Sequence, residues 1–194
     1  YTVSLTDGVG TLTVPGLKAG EHTVKAVYPG SHNYTNSSDT AKFKVSKYDS
    51  TVKIDSEDIK VGDDETITVT VPDDATGNVT ITVNGKNYTA PVEDGKAVFT
   101  IPGLKAGNYT VKAKYSGDDK YIPGNATGKF TVTKNKPKVS ADSNDIKVGD
   151  DETITVTVPD DATGKVTIEV NGKKYTATVK DGKAVFKVPG LKAG

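Results

Sequence analysis

The stretch ETITVTVPDDATGNVTITVNGKNYTAPVEDGKAVFTI, residues 65–101, decides the fold class. Within it apolar side chains alternate with Thr and Lys: Ile67, Val69 and Val71, then Val79, Ile81 and Val83, then Tyr88, Ala90 and Val92, then Ala97, Phe99 and Ile101. A period of two is the signature of strands with one buried face. Asn84-Gly85 and Asp94-Gly95 lie between such runs, and each supplies the positive φ of a two-residue hairpin at low cost. The same parity continues through Tyr109, Val111, Ala113 and Tyr115 and ends at Phe130 and Val132. Upstream it begins at Val52 and Ile54, with Ile59 and Val61 beyond a short break. Pro102-Gly103 and Pro123-Gly124 are expected where the chain crosses between sheets. No segment reads as a helix, and about seven antiparallel strands at this spacing predict an all-β sandwich.

The pattern recurs. VPGLKAG, IPGLKAG and VPGLKAG carry Pro15, Pro102 and Pro189, each 87 residues from the next, and KVGDDETITVTVPDDATG starts at Lys60 and again at Lys147 with the same spacing. A period of 87 exceeds the ~20–50 residues of solenoid repeats and fits one small domain per copy. Tyr1 aligns with Tyr88 and Gly194 with Gly107, so one copy is complete. The expected organisation is residues 1–46 as the later part of one repeat, 47–133 as a complete repeat and 134–194 as the earlier part of a third. The joints are the Lys-containing segments SKYDST (Ser46 to Thr51) and TKNKPK (Thr133 to Lys138). Both termini fall inside a repeat, and the expectation is a window from a longer array.

The type of sandwich is indicated by LKAGNYTV, in which Tyr109 opens a strand two residues before Val111. That is the offset of a tyrosine corner, whose phenol bonds back to the backbone. His22 takes this position in the first copy, so the corner is not expected in every repeat. With seven strands and no Cys, the pattern favours an Ig-like domain of the disulfide-free kind. The unit KVGDDETITVTVPDDATGNVTITVNGKNYT, followed by VEDGKAVFTIPGLKAGNYTVKAKYSGDDKY, resembles the tandem bacterial-type Ig-like repeats of adhesin-like surface proteins, particularly those of methanogenic archaea. The resemblance implies long extracellular stalks or filaments and no catalysis. Some surface Ig-like domains replace the disulfide with a Lys–Asn isopeptide bond. Here the last strands GKFTVT and AKFKVS carry no Asn and the chain has no Gln, so neither that bond nor a Thr–Gln ester is expected.

Composition excludes several classes. Among 194 residues, 25 Lys balance 25 Asp and Glu, which leaves no basic field to gather nucleic acid. The absence of Cys removes disulfides, thiolate chemistry and Cys-based zinc sites. No apolar run is long enough for a transmembrane span or signal peptide in this stretch. The two histidines, His22 and His32, are replaced by Tyr109 and Asp119 in the complete copy. The acidic pairs sit adjacent in turns rather than facing across a cleft, so an enzyme is not expected.

Three groups of residues remain as candidate sites. Six Asn-x-Ser/Thr sequons, at Asn33, Asn36, Asn78, Asn87, Asn108 and Asn125, have solvent-facing parity or lie in a loop, and are glycosylation candidates if the chain is secreted. Asp63-Asp64, Asp73-Asp74, Asp118-Asp119, Asp150-Asp151 and Asp160-Asp161 offer oxygen to Ca²⁺, although no calcium-loop spacing is present. Asp73-Asp74 could meet Asp118-Asp119 at one pole, or Asp160-Asp161 of one domain could face Asp63-Asp64 of the preceding one across a joint; solvated turn carboxylates are the favoured reading, and no cofactor is expected. Tyr121 and its first-copy equivalent Tyr34 are the tyrosines placed to touch a ligand. The leading expectation is a structural spacer in the stalk of a cell-surface adhesin, with neighbouring repeats, the cell envelope and a distal surface ligand as partners. The alternatives are a carbohydrate- or protein-binding module, which would need Tyr121, and a filament subunit assembled by strand exchange between chains.

Overall fold

The computed structural model describes residues 1–192 of the 194, so Ala193 and Gly194 of the third VPGLKAG motif lie outside the described residues. The chain divides into two compact units, Tyr1–Lys134 and a second from Asn135 onward. Among the described residues there are strands and turns and no helix.

The first unit opens with residues 1–19, which hold only a Thr6–Val9 bridge around Asp7-Gly8. The hairpin of β1 (Gly20–Tyr28) and β2 (Ser37–Val45) follows. Eight segments then build the complete repeat: β3 (Lys53–Asp55), β4 (Ile59–Lys60), β5 (Glu65–Thr70), β6 (Asn78–Val83), β7 (Lys86–Pro91), β8 (Lys96–Ile101), β9 (Gly107–Tyr115) and β10 (Gly124–Thr133). They form a three-stranded sheet, β3-β5-β8, and a five-stranded sheet, β4-β10-β9-β6-β7. Pairing is antiparallel except between β4 and β10. The break read after Ile54 is where the first strand changes sheets, so β3 and β4 together count as one strand of seven.

The predicted parity is the core. Ile67, Val69, Val79, Ile81, Ile101, Val111 and Tyr115 are completely buried or within a percent of it, and Phe99, Phe130 and Val132 pack among them. Tyr88, Ala90 and Val92 are half-buried because β7 is an edge strand. On the other side the sandwich closes by close approach: a Cβ on Gly128 of β10 would come within 2.9 Å of Ile54 Cγ2. Both turns have the expected positive φ, +50° and +76° at Asn84-Gly85 and +47° and +71° at Asp94-Gly95. Only Asn84-Gly85 closes a hairpin: β7 and β8 belong to different sheets, so Asp94-Gly95, flanked by a single Glu93–Lys96 bridge, is a tight turn at a crossing between sheets. Pro102-Gly103 does stand at a crossing, between β8 and β9 of different sheets. Pro123-Gly124 does not: β9 and β10 are neighbours in one sheet, and this pair ends a hairpin loop that folds back on itself.

The second unit contains β11 (Ser140–Asp142), β12 (Glu152–Thr157), β13 (Lys165–Val170), β14 (Lys173–Thr178) and β15 (Lys183–Val188). They form a three-stranded sheet, β11-β12-β15, and a β13-β14 hairpin. Val156, Ala184 and Phe186 are its buried centre, with Ile154, Val166, Ile168 and Tyr175 half-buried around them.

Candidate functional site

The densest polar constellation lies in the β9–β10 loop, at one pole of the complete repeat. Its centre is Asp118. One carboxylate oxygen accepts the amides of Lys120 (2.8 Å) and Tyr121 (2.7 Å), an Asx turn closed by its own loop. The other accepts the Thr76 amide at 2.7 Å, the Thr76 hydroxyl at 3.2 Å and the Tyr115 hydroxyl at 2.9 Å. Burial pushes the Asp118 carboxyl up, but the amides of Thr76, Tyr121 and Lys120 and the Tyr115 phenol outweigh it and hold the group well below the usual carboxylate range. Tyr115 is raised by its burial and then by Asp118. Its hydroxyl also lies 2.7 Å from the Thr76 carbonyl, so the last inward side chain of β9 ends in a saturated polar hub.

A second carboxylate faces the same loop. Asp74 binds the Lys120 ammonium and accepts from the Tyr121 hydroxyl at 2.6 Å, and these bonds lower its pKa in that order. One carboxylate of each pair, Asp74 and Asp118, therefore faces this loop, with the Lys120 ammonium and the Tyr115 and Tyr121 phenols as their partners. Among the described residues no three His, Asp or Glu converge as a metal would require.

The linker docks onto this pole. The Tyr48 amide donates to the Lys120 carbonyl (2.8 Å) and the Ile122 amide to the Tyr48 carbonyl (3.0 Å), a two-bond parallel bridge. The Lys47 ammonium binds the Asp118 carbonyl, and the Lys120 ammonium lies over the Tyr48 ring, 5.8 Å from its centroid, and the Tyr121 ring at 5.3 Å. Lys18, in the preceding copy's LKAG loop, reaches Asp119 at 3.5 Å with both groups in solvent, where such a pair contributes little. Tyr121, singled out as a ligand contact, is thus half-buried with its hydroxyl engaged, whereas Tyr34 is 72% exposed.

At the opposite pole the Tyr109 hydroxyl donates to the Lys105 carbonyl four residues back, at 2.8 Å, and its ring stacks on Phe130 with centroids 5.2 Å apart. The first copy corrects the reading that the corner lapses there. His22 Nε2 donates to the Lys18 carbonyl at 2.7 Å and its ring stacks on Phe43 at 5.4 Å. Imidazole and phenol both present a donor at the end of a flat ring, and the shared position needs only that. His32 is exposed in the β1–β2 loop.

All six sequon asparagines are exposed. Asn33 and Asn36 lie in the β1–β2 loop, while Asn78, Asn87, Asn108 and Asn125 lie on β6, β7, β9 and β10. Two shallow grooves cross the outer face of that sheet, one lined by Thr82, Asn84, Asn108 and Lys112 and the other by Asn87, Lys114 and Asn125 among others.

Two buried acids were not anticipated. Glu65 is 1% exposed and accepts the Glu57 amide at 3.1 Å, inside the break where the first strand changes sheets. Burial raises its pKa, against the Glu57 amide, which lowers it. Glu152 repeats the contact with the Asn144 amide at 2.8 Å. The parity of Ile67 and Val69, carried two residues back, places Glu65 inward; that was the available signal.

Residues 52–133, all but the first five residues of the complete repeat, match the bacterial Ig-like domain (group 3) family. None of the curated proteins compared with the chain matches it. Among solved structures, a bacterial ice-binding adhesin is similar at 19% identity over 86% of this chain, with a TM-score of 0.41. SGBP-B of the mixed-linkage glucan utilization locus of Bacteroides ovatus, solved with a mixed-linkage heptasaccharide, is similar at 12% identity over 76% of this chain, with a TM-score of 0.35. This chain spans 62% and 63% of the lengths of those two. A chimeric titin Z1Z2 tandem is similar at 13% identity, over 73% of this chain and 86% of its own, with a TM-score of 0.30. The complete repeat is an all-β Ig-like sandwich.

Proposed function

We propose that the chain is a spacer segment from the stalk of a cell-surface adhesin, of the kind its sequence resembles in methanogenic archaea. Successive Ig-like repeats hold a distal binding element away from the envelope. The observation that carries this reading is the joint at Tyr48: two main-chain hydrogen bonds tie the linker to the next repeat's pole. A tethered linker restricts bending where a solvated one would not. The reading places the chain outside the cell, needs no cofactor or catalytic group, and makes neighbouring repeats the immediate partners.

The test is the length of arrays built from increasing numbers of the 47–133 unit, measured by small-angle scattering. A spacer with such joints lengthens linearly by about 35 to 40 Å per repeat, strands plus end loops. Growth with the square root of repeat number overturns it. Tyr48→Pro, which removes the amide that donates to Lys120, should shift the first behaviour toward the second. Labelling of lysines on intact source cells tests the location.

A further inference from the structure

We infer that the outer face of the five-stranded sheet is the N-glycosylated face of the repeat, with Asn78, Asn87, Asn108 and Asn125 as attachment sites and the outer face of the three-stranded sheet bare. The inference rests on the extracellular reading above, since the transferring enzymes work on exported chains.

The arrangement is one-sided. None of the six sequons falls on β3, β5 or β8, whereas β6, β7, β9 and β10 carry one each. Period two places every sequon threonine (Thr80, Thr89, Thr110, Thr127) on the same face as its asparagine. The register sets the spacing. One row across the sheet reads Asn87, Thr82, Lys112, Thr127, and an adjacent same-face row reads Thr89, Thr80, Lys114, Asn125. With ~4.8 Å between strands and ~3.4 Å per residue, nearest sequon asparagines lie about 12 to 17 Å apart, so each glycan has its own footprint.

Two of the four asparagines are also held in a useful way. Thr82 Oγ1 donates to Asn87 Oδ1 at 2.7 Å and Thr131 Oγ1 to Asn108 Oδ1 at 3.3 Å. These bonds engage the amide oxygen and leave Nδ2, the atom that bonds the sugar. The surrounding face is threonine and lysine, while the bare face shows Val98 at 56% exposure. In the third copy Lys165 and Lys174 take the places of Asn78 and Asn87, so these positions need only a solvated polar group to fold.

The donor is a glycan linked through its anomeric carbon to a lipid phosphate. The anomeric C–O bond to phosphate breaks, an Nδ2–C bond forms, and the amide proton leaves as the lipid phosphate is released. No oxidant or reductant is involved.

The test is glycopeptide mass spectrometry on the chain taken from its source cells, combined with lysine labelling of the intact cells. Expected are glycan masses on the Asn78, Asn87, Asn108 and Asn125 peptides and none on peptides of β3, β5 and β8. Thr80→Val should remove the glycan at Asn78 alone. Unmodified asparagine at all four positions in a chain that labels at the surface overturns the inference while leaving the spacer reading intact. A chain that labels only after lysis overturns both, and glycans on the three-stranded sheet overturn the one-sidedness.

Discussion

The strands β5–β8 and β12–β15 have nearly the same sequence, and side by side they separate what is local in this fold from what is not. Ile81 pairs with Tyr88 and Ile168 with Tyr175; Ile67 pairs with Phe99 and Ile154 with Phe186. The cross-strand threonine hydroxyls are 2.9 Å apart in one and 3.0 Å in the other. Even the turn angles agree, with φ of +50° at both Asn84 and Asn171. Burial does not agree. Val79 and Ile81 are sealed, whereas Val166 and Ile168 are only half-buried. The complete repeat has β9 beside β6, bringing Val111, Tyr115 and, through β10, Phe130 over the core. Hairpins and register are therefore written locally, while the closed core depends on the β9–β10 hairpin.

The largest effect should come from removing the same side chain in both places. Ile81→Ala leaves a cavity in a closed core and should cost about 3 to 4 kcal/mol, whereas Ile168→Ala should cost about 1 to 2, since less buried surface is lost. Amide exchange read peptide by peptide in denaturant separates the two units. Equal costs would show that burial by β9 and β10 adds nothing.

Asp118 belongs to the β9–β10 hairpin as well, as the centre of its loop. Asp118→Ala strands the Thr76, Lys120 and Tyr121 amides and should cost about 2 to 3 kcal/mol. The pH dependence follows from direction. Asp118 is held below its ordinary 3.8, so its contribution is present above that pH and is lost as pH falls toward the lowered folded value. Glu65 acts oppositely: its folded pKa lies above 4.5, so it opposes folding above that folded value and relaxes as pH falls through it. Acid titration of the complete repeat should show a step lost in the Asp118→Ala variant. An unchanged titration in the variant would remove Asp118 from the account.

Legibility in the sequence followed the same division. Parity located the core and Asn-Gly located a hairpin, because each is set by residues a few positions apart. Asp-Gly located a tight turn but not that it joins two sheets, and the short break after Ile54 falls where the strand changes sheets. The hub was less visible. Asp118 reads as half of a solvated pair until Thr76 and Tyr115, up to 42 residues away, are brought to it. Pro123-Gly124 misled for a related reason: a Pro-Gly stop says that a strand ends and not which sheet the next one joins. The docking of Tyr48 had no local signal, since main-chain bonds in a linker depend on what lies opposite.

A turn shared by both units should respond alike. Gly95 and Gly182 each have φ of +71°, and an added Cβ would meet backbone at 2.9 Å from Asp73 Cα and 3.1 Å from Asp160 Cα. Alanine at either position should cost about 1 to 2 kcal/mol through the left-handed backbone alone, before any displacement of the neighbour. Similar shifts of the denaturation midpoint in the two units would confirm that the turn is local; a large inequality would tie one turn to its core.

The smallest effect concerns the corner, where two copies solve one problem with different rings. Tyr109→Phe keeps the stack on Phe130 and deletes only the bond to the Lys105 carbonyl, so the loss should be near 1 kcal/mol. Tyr109→His should lose less than Tyr109→Phe, because His22 places a donor on the equivalent Lys18 carbonyl from the same strand position. The measurement is the urea midpoint of the 47–133 repeat for the three proteins. If histidine is no better than phenylalanine, the two corners are alike in outline only, and the ring stack rather than the hydrogen bond is what this position preserves.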